Sequence, residues 1–351
     1  MNRRKFNQIL PLTVGGILSS VTAIGNVIHK FSEEYTDGKI IGHGDFRYKV
    51  DKNWGIQDAG KIPVNDCHEM VQDKTGRLIL LTNETRNNVL IYDRSGKVTK
   101  TWGTEFPGAH GLTICEEGGE EFLFITDHDR HQVFKTTLEG KVLMTIDYPK
   151  ETGKYESKEK FKPTEVAVAP NGDFYIADGY GSQYIIHYNY KGEILNIFGG
   201  LGDSGPLFNN AHGVCLDNRD KKNPSLLITA RVQNALKRFS LEGKYLETIS
   251  LPGAYISRPV IDGENIYTAV LVSKMPWNSE SGFVLVLDKN NEVVSIPGGG
   301  QPIYEDSKLN KMLQVGTTFM HPHDVCIDND KNLYIPQWSS GKTYPIKLER
   351  I

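Results

Sequence analysis

Three segments of the chain place a histidine at the head of an apolar run: AHGLTI with His110, AHGVCL with His212 and HPHDVCI with His323. A fourth, His68 in CHEMVQ, stands in the same position. Neutral imidazoles are good zinc ligands, and three of them leave one tetrahedral position open. In such a site the metal acidifies water or polarises a substrate oxygen. A single histidine at a strand start is more often a hydrogen-bonded residue than a ligand. Matched repetition makes these candidates, provided the fold brings the distant segments to one point.

The elements that carry them are short and repeated. Four segments share a hairpin with glycine at its tip: YDRSGKVTKTWG, KTTLEGKVLMTI, YNYKGEILNIFG and FSLEGKYLETIS. Their glycines, Gly96, Gly140, Gly192 and Gly243, recur every 44 to 52 residues, and LDKNNEVVSIPG near Asn291 is a weaker fifth copy. Glycine supplies the positive φ that a tight hairpin demands. Each hairpin follows two apolar strands joined by an acidic or Asn/Gly-rich turn, as in HGLTICEEGGEEFLFITD and TEVAVAPNGDFYIADG, and six such pairs can be read. Four short strands per repeat is the unit of a propeller blade, so six copies predict an all-β, six-bladed β-propeller over residues 38–351. The last copy ends at TYPIKLERI without an outer strand, and FRYKVDKNWG near the start resembles one. An N-terminal strand is therefore expected to complete the last blade, which leaves no free sheet edge.

In a propeller the first strand of each blade lines the central channel. The residues heading these strands are His68, His110, Thr164, His212, Arg258 and His323. Blades 2, 4 and 6 lie about 120° apart around a six-bladed ring. His110, His212 and His323 are thus expected to converge on the axis as zinc ligands. His68 is a further ligand, a partner of a ligand or a substrate contact, and His321 is expected to face solvent.

The rest of the composition sets bounds. With 351 residues and a formal charge of −3, the chain has no basic field suited to nucleic acid. MNRRKF, with Arg3 and Arg4, precedes the weakly apolar ILPLTVGGILSSVTAIGNVI. That order reads as a twin-arginine export signal over residues 1–30, with an uncleaved membrane anchor as the alternative. The expected location is periplasmic or otherwise exported, the export machinery is an expected partner, and cleavage would leave no stable membrane association. Four cysteines in an exported chain suggest disulfides, but Cys215 and Cys326 occupy matching places in separate repeats, which favours small buried side chains over bridges and leaves at most one bridge open.

The segments AHGLTI followed by ITDHDRHQVFK, NNAHGVCL, KPTEVAVAPNGDFYIADGYGSQYIIHY and FMHPHDVCIDNDKNLYI resemble those of the peptidyl-α-hydroxyglycine α-amidating lyases, six-bladed propellers related to NHL-repeat proteins. The resemblance covers most of the chain beyond about residue 40. It implies that His110, His212 and His323 are zinc ligands. It further implies that Met70 and Leu112, through their carbonyls, and Asp324, through its carboxylate, bind a structural calcium. Tyr180 in the DGY motif falls on the base, and Arg231 in ITARVQN on an active-site arginine. The implied reaction removes the hydroxyl proton of a hemiaminal and breaks its C–N bond, with a small-molecule or peptide-like substrate whose carboxylate an arginine would hold.

One position departs from the family. LLTNETRNN has Asn83 and Glu84 where a first-blade arginine is expected, which leaves Arg86 as the nearest substitute. His68, Arg86 and Arg258 are accordingly the expected substrate contacts. Two alternatives share the fold. One is a metal-dependent hydrolase or lactonase, which would favour Glu, Asp and Asn ligands. The other is a non-catalytic NHL-type propeller that binds a protein or glycan and needs no metal.

Overall fold

The computed structural model describes residues 37–274 and 280–351. The expected export signal lies outside them. The chain is a six-bladed β-propeller, with each blade a twisted antiparallel sheet. Blade 1 is Cys67–Gln72, Leu78–Thr82, Val89–Tyr92 and Val98–Trp102 from the channel outward. Blades 2 to 5 repeat the order, with inner strands Ala109–Glu117, Glu165–Val168, Ala211–Asp217 and Tyr255–Asp262. Blade 6 takes Cys326–Ile327, Leu333–Ile335 and Ile346–Arg350 from the C-terminal end and closes on Phe46–Asp51, with Ile40–His43 as a fifth strand. The expected ring closure is therefore observed.

Strand composition follows position. The middle strands LILLT and VLIY of blade 1 are buried throughout, because each blade is covered on both faces by its neighbours. The outer strand VTKTW is largely exposed and correspondingly polar. The core is a series of inter-blade layers, for example Ile79, Leu81 and Ile91 against Leu112, Leu123 and Ile125.

The hairpin glycines have a second role besides turning the chain. All four have φ between 84° and 94°. A Cβ on Gly140 would lie 2.5 Å from the Trp102 ring, and one on Gly243 would lie 2.5 Å from the Phe198 ring. At Gly96, Gly140 and Gly243 an aromatic of the preceding outer strand region, Trp54, Trp102 or Phe198, rests on the bare hairpin backbone, whereas Gly192 faces Ile146 and Met144. The four cysteines are free, Cys67 and Cys326 being buried and Cys115 and Cys215 half-buried.

One irregularity positions the site. In blade 1, Cys67 pairs with Thr82 and Met70 with Leu80, so the inner strand gains one residue on its partner. The same bulge recurs between Ala109 and Leu112, between Ala211 and Val214 and between Ile256 and Pro259. Bulges re-aim side chains, here toward the channel axis. Aligning the pairings gives a head layer of His68, His110, Thr164, His212, Ser257 and His323. The next layer is Glu69, Gly111, Glu165, Gly213, Arg258 and Asp324. The fifth-blade head is thus Ser257 and not Arg258, because Pro259 takes the place of Val214 after the shared bulge and sets Ser257 at the level of His212.

Candidate metal centre and its surroundings

The four head histidines meet at the axis, each at most 3% exposed. Ring centroids of His110 lie 4.7 Å from His212, 4.8 Å from His323 and 4.9 Å from His68. His323 lies 5.0 Å from His212 and 4.8 Å from His68. The expected triad is brought together, and His68 joins it as a fourth imidazole. Ligand atoms of His68, His110 and His323 all fall within 4.8 Å of one another. His212 Nε2 is 3.1 Å from His110 Nε2. The His110–His323 pair is therefore common to two overlapping triads.

Neighbouring blades set the proton positions. His110 Nδ1 donates to the Thr164 carbonyl at 2.8 Å, and His323 Nδ1 donates to the His68 carbonyl at 3.0 Å. Each ring therefore presents its Nε2 lone pair, the usual way that a backbone carbonyl orients a metal-ligating histidine. The buried Nδ1 atoms of His68 and His212 have no hydrogen-bond partner. Burial first, and then the neighbouring charges, hold His110, His212 and His323 well below the ordinary histidine range, and burial lowers His68 to about 4 against the opposing charge of Asp66. All four are neutral near pH 7, the form that can bind a metal.

Tyr180 lies over this cluster. Its ring is 37% exposed, yet its hydroxyl is 3.1 Å from both His110 Nε2 and His212 Nε2. Burial of the hydroxyl raises its pKa, and the adjacent Arg231 acts in the opposite direction. Arg231 is 5% exposed and donates to the Ile256 carbonyl at 2.9 Å and to Ser257 Oγ at 3.0 Å. His128, which the sequence reading passed over, packs 5.6 Å from the Tyr180 ring and 6.0 Å from His110. Its signal was available: it follows the second strand of blade 2, as Tyr180 and Arg231 follow those of blades 3 and 4.

One residue deeper, Arg258 fills the channel. Its guanidinium donates to both carboxylate oxygens of Asp324 at 3.2 and 2.6 Å, to the Leu112 carbonyl at 2.8 Å and to the Met70 carbonyl at 3.3 Å. Glu69 lies 3.3 Å away and Glu165 3.8 Å. These partners engage the group expected to hold substrate, one layer below the histidines. Beyond it the inner strands open into a depression of about 1290 Å³ at the opposite mouth, lined by Ile114, Val168, Leu216 and Ile327. No histidine of the cluster lines it. Its rim also carries Glu116, Glu117, Arg219 and Lys221.

Two further expectations are corrected. Arg86 does not reach inward; it forms an exposed two-pronged pair with Glu84 at 2.9 and 3.0 Å. Asn83, at the family's arginine position, instead accepts from Asn65 and the Asp66 backbone. Arg86→Ala is therefore expected to leave KM unchanged in steady-state kinetics, and a raised KM would place it back in the site. His321 is not solvent-facing. It is 7% exposed, accepts from the Glu280 backbone through Nε2 at 3.2 Å and has φ +52°, so it acts as a corner residue of blade 6.

No family model matches the chain. Among curated proteins, peptidyl-α-hydroxyglycine α-amidating lyase 1 of Drosophila melanogaster is 41% identical over 110 residues, or 30% of this chain. The chain resembles the amidating lyases. The matched stretch spans only 19% of that relative's length. Among solved structures, a streptogramin B lyase superposes with a TM-score of 0.56 at 14% identity, over 86% of this chain and 97% of that one. A gluconolactonase from Xanthomonas campestris gives 0.60 at 13% identity, over 91% and 96%. At such identities the structures establish the propeller fold.

Proposed function

We propose that the chain is a zinc-dependent lyase that cleaves the C–N bond of a hemiaminal-type or related α-hydroxy substrate, of the kind that the amidating lyases' name describes. The observation that carries this reading is the convergence of buried, neutral imidazoles beneath the Tyr180 hydroxyl. The donor set fits zinc. Two imidazole nitrogens on one tetrahedral zinc at about 2.0–2.1 Å would stand about 3.3 Å apart, close to the 3.1 Å between His110 Nε2 and His212 Nε2. His110 Nε2 is a lone pair, so His212 Nε2 either donates a proton to it or shares a cation with it. An imidazole set is also unlike the carboxylate and amide ligands expected of a propeller hydrolase.

His110, His212 and His323 would hold the metal, with His68 as a fourth imidazole against the same pair. Zinc at that point would polarise a substrate oxygen. The remaining steps belong to the chain. Tyr180, as phenolate, accepts the substrate hydroxyl proton. The O–H electrons form the new C=O bond and the C–N bond breaks onto nitrogen. Nitrogen recovers a proton from Tyr180, giving an amide and an aldehyde acid. Arg231 lowers the cost of the phenolate and offers its charge to a substrate carboxylate. With Asn83 and Arg86 turned away, Arg231 does this without a first-blade partner.

The direct test supplies a peptidyl-α-hydroxyglycine to metal-replete protein and follows glyoxylate release with and without chelator. No release by zinc-loaded protein would sink the amidating substrate, and a folded protein that takes up no transition metal would sink the class. Tyr180→Phe is expected to keep its metal and lose roughly 10²- to 10⁴-fold in kcat. Full turnover by that variant would remove Tyr180 as the base.

A further inference from the structure

The level below the histidines is built like a cage for a hard cation. It gathers carboxylates from three blades, Glu69, Glu165 and Asp324, with the carbonyls of Met70 and Leu112, and every carboxylate is fully buried. All-oxygen sets of this kind suit calcium, which takes six to eight oxygens. Two buried carboxylate atoms, Glu69 Oε1 and Glu165 Oε2, have no hydrogen-bond partner. The rest of the cage is tied to backbone: Leu112 N–H donates to Glu69 at 2.7 Å, Met70 N–H to Asp324 at 3.0 Å and Val166 N–H to Glu165 at 2.9 Å. The oxygens are thereby fixed facing the axis.

Met70, Leu112 and Asp324 are the residues that the amidating-lyase resemblance assigns to a structural calcium. Here the Arg258 guanidinium takes their oxygens. The layer is also shaped for this side chain. Blades 2 and 4 place Gly111 and Gly213 at this level, and a Cβ on Gly213 would lie 2.6 Å from Arg258 Cα. The bare backbone of blade 4 is what lets the fifth-blade strand sit close enough to send its arginine across the axis. A planar, permanently charged fork with five donors can bind carboxylates and carbonyls from several directions, as a metal ion would.

We propose that Arg258 is a built-in cation that replaces the structural calcium and ties the inner strands of blades 1, 2, 5 and 6 together without a metal. The proposal is independent of the reaction at the histidines. A corollary is that removing the guanidinium leaves a vacant calcium site made of this chain's own oxygens.

The test compares the purified full chain with Arg258→Met, reading metal content and Tm in EGTA and in millimolar calcium. Native protein is expected to hold no stoichiometric calcium and to show the same Tm in both buffers. One tightly held calcium per chain whose removal by EGTA lowers Tm would overturn the proposal. Arg258→Met is expected to melt lower in EGTA and to regain about 4 °C when calcium exceeds its dissociation constant roughly a hundredfold. A folded Arg258→Met protein indifferent to calcium would overturn it equally. Should that variant fail to fold in EGTA, refolding on addition of calcium supports the proposal, and if calcium does not rescue it the native measurement alone decides.

Discussion

Replacing His110 with alanine is expected to strip the chain of its transition metal and to lower turnover on a peptidyl-α-hydroxyglycine by at least about a thousandfold, the equivalent of several kcal/mol of lost charge stabilisation. His110 is the residue of choice because the cluster is arranged around it. It is within ring contact of the other three histidines, and its Nε2 is 3.1 Å from both His212 Nε2 and the Tyr180 hydroxyl. It belongs to the triad with His212 and to the triad with His68, so its loss removes a ligand whichever the metal uses. The measurement is metal content by mass spectrometry beside glyoxylate release, with circular dichroism to show that the fold persists. Unchanged metal content in His110→Ala would end the case for a histidine-bound ion. His68→Ala and His212→Ala then divide the two triads: the variant that loses more metal affinity identifies the third ligand.

The repeat made much of this site legible in the sequence. His110, His212 and His323 could be placed at one level because their segments match and a propeller puts matching residues at one depth. The ring closure was legible for a similar reason, since FRYKVDKNWG copies an outer strand that blade 6 lacks. Failures began where one residue of register mattered. Arg258 looked like a head residue because the apolar pattern of RPVIDGENIYTAV does not fix the register to one residue, whereas its strand pairing does. Its true layer, Glu69, Gly111, Glu165, Gly213, Arg258 and Asp324, mixes four residue types and no single one recurs often enough to attract notice. Its members look like ordinary polar and glycine residues until charge balance across blades is considered. Arg86 and His321 failed differently. Each was judged by closeness in sequence to a site residue, whereas Glu84 turns Arg86 outward and the Glu280 and Trp338 backbones hold His321 inside the blade corner.

The closing strand should be the most sensitive stretch for stability, and its alternation makes a sharp comparison. Tyr48 and Val50 are 0% and 1% exposed, whereas Lys49 between them is exposed. Val50 pairs with Leu348 and packs in one cluster with Leu333, Ile335, Ile346 and Phe319. Val50→Asp would bury a carboxylate with no partner and remove an apolar side chain, at a cost of about 3 kcal/mol or more. For a domain of this size that corresponds to a fall in Tm of roughly 4–5 °C or more. Lys49→Asp, one residue away on the opposite face, should stay within about 0.5 kcal/mol of the parent. Loss of the strand altogether should do more. It removes the burial of Tyr48, Val50 and Ile41, each worth about 1.5–3 kcal/mol, against a total stability of about 5–15 kcal/mol. It also leaves Ile346–Arg350 as an open edge that can pair with another chain. A chain shortened to begin after Asp51 is therefore expected to aggregate or to lose its cooperative melt. Equal melting of Val50→Asp and Lys49→Asp would show that this strand does not close the ring, and the six-blade geometry that brings the histidines to the axis would lose its latch.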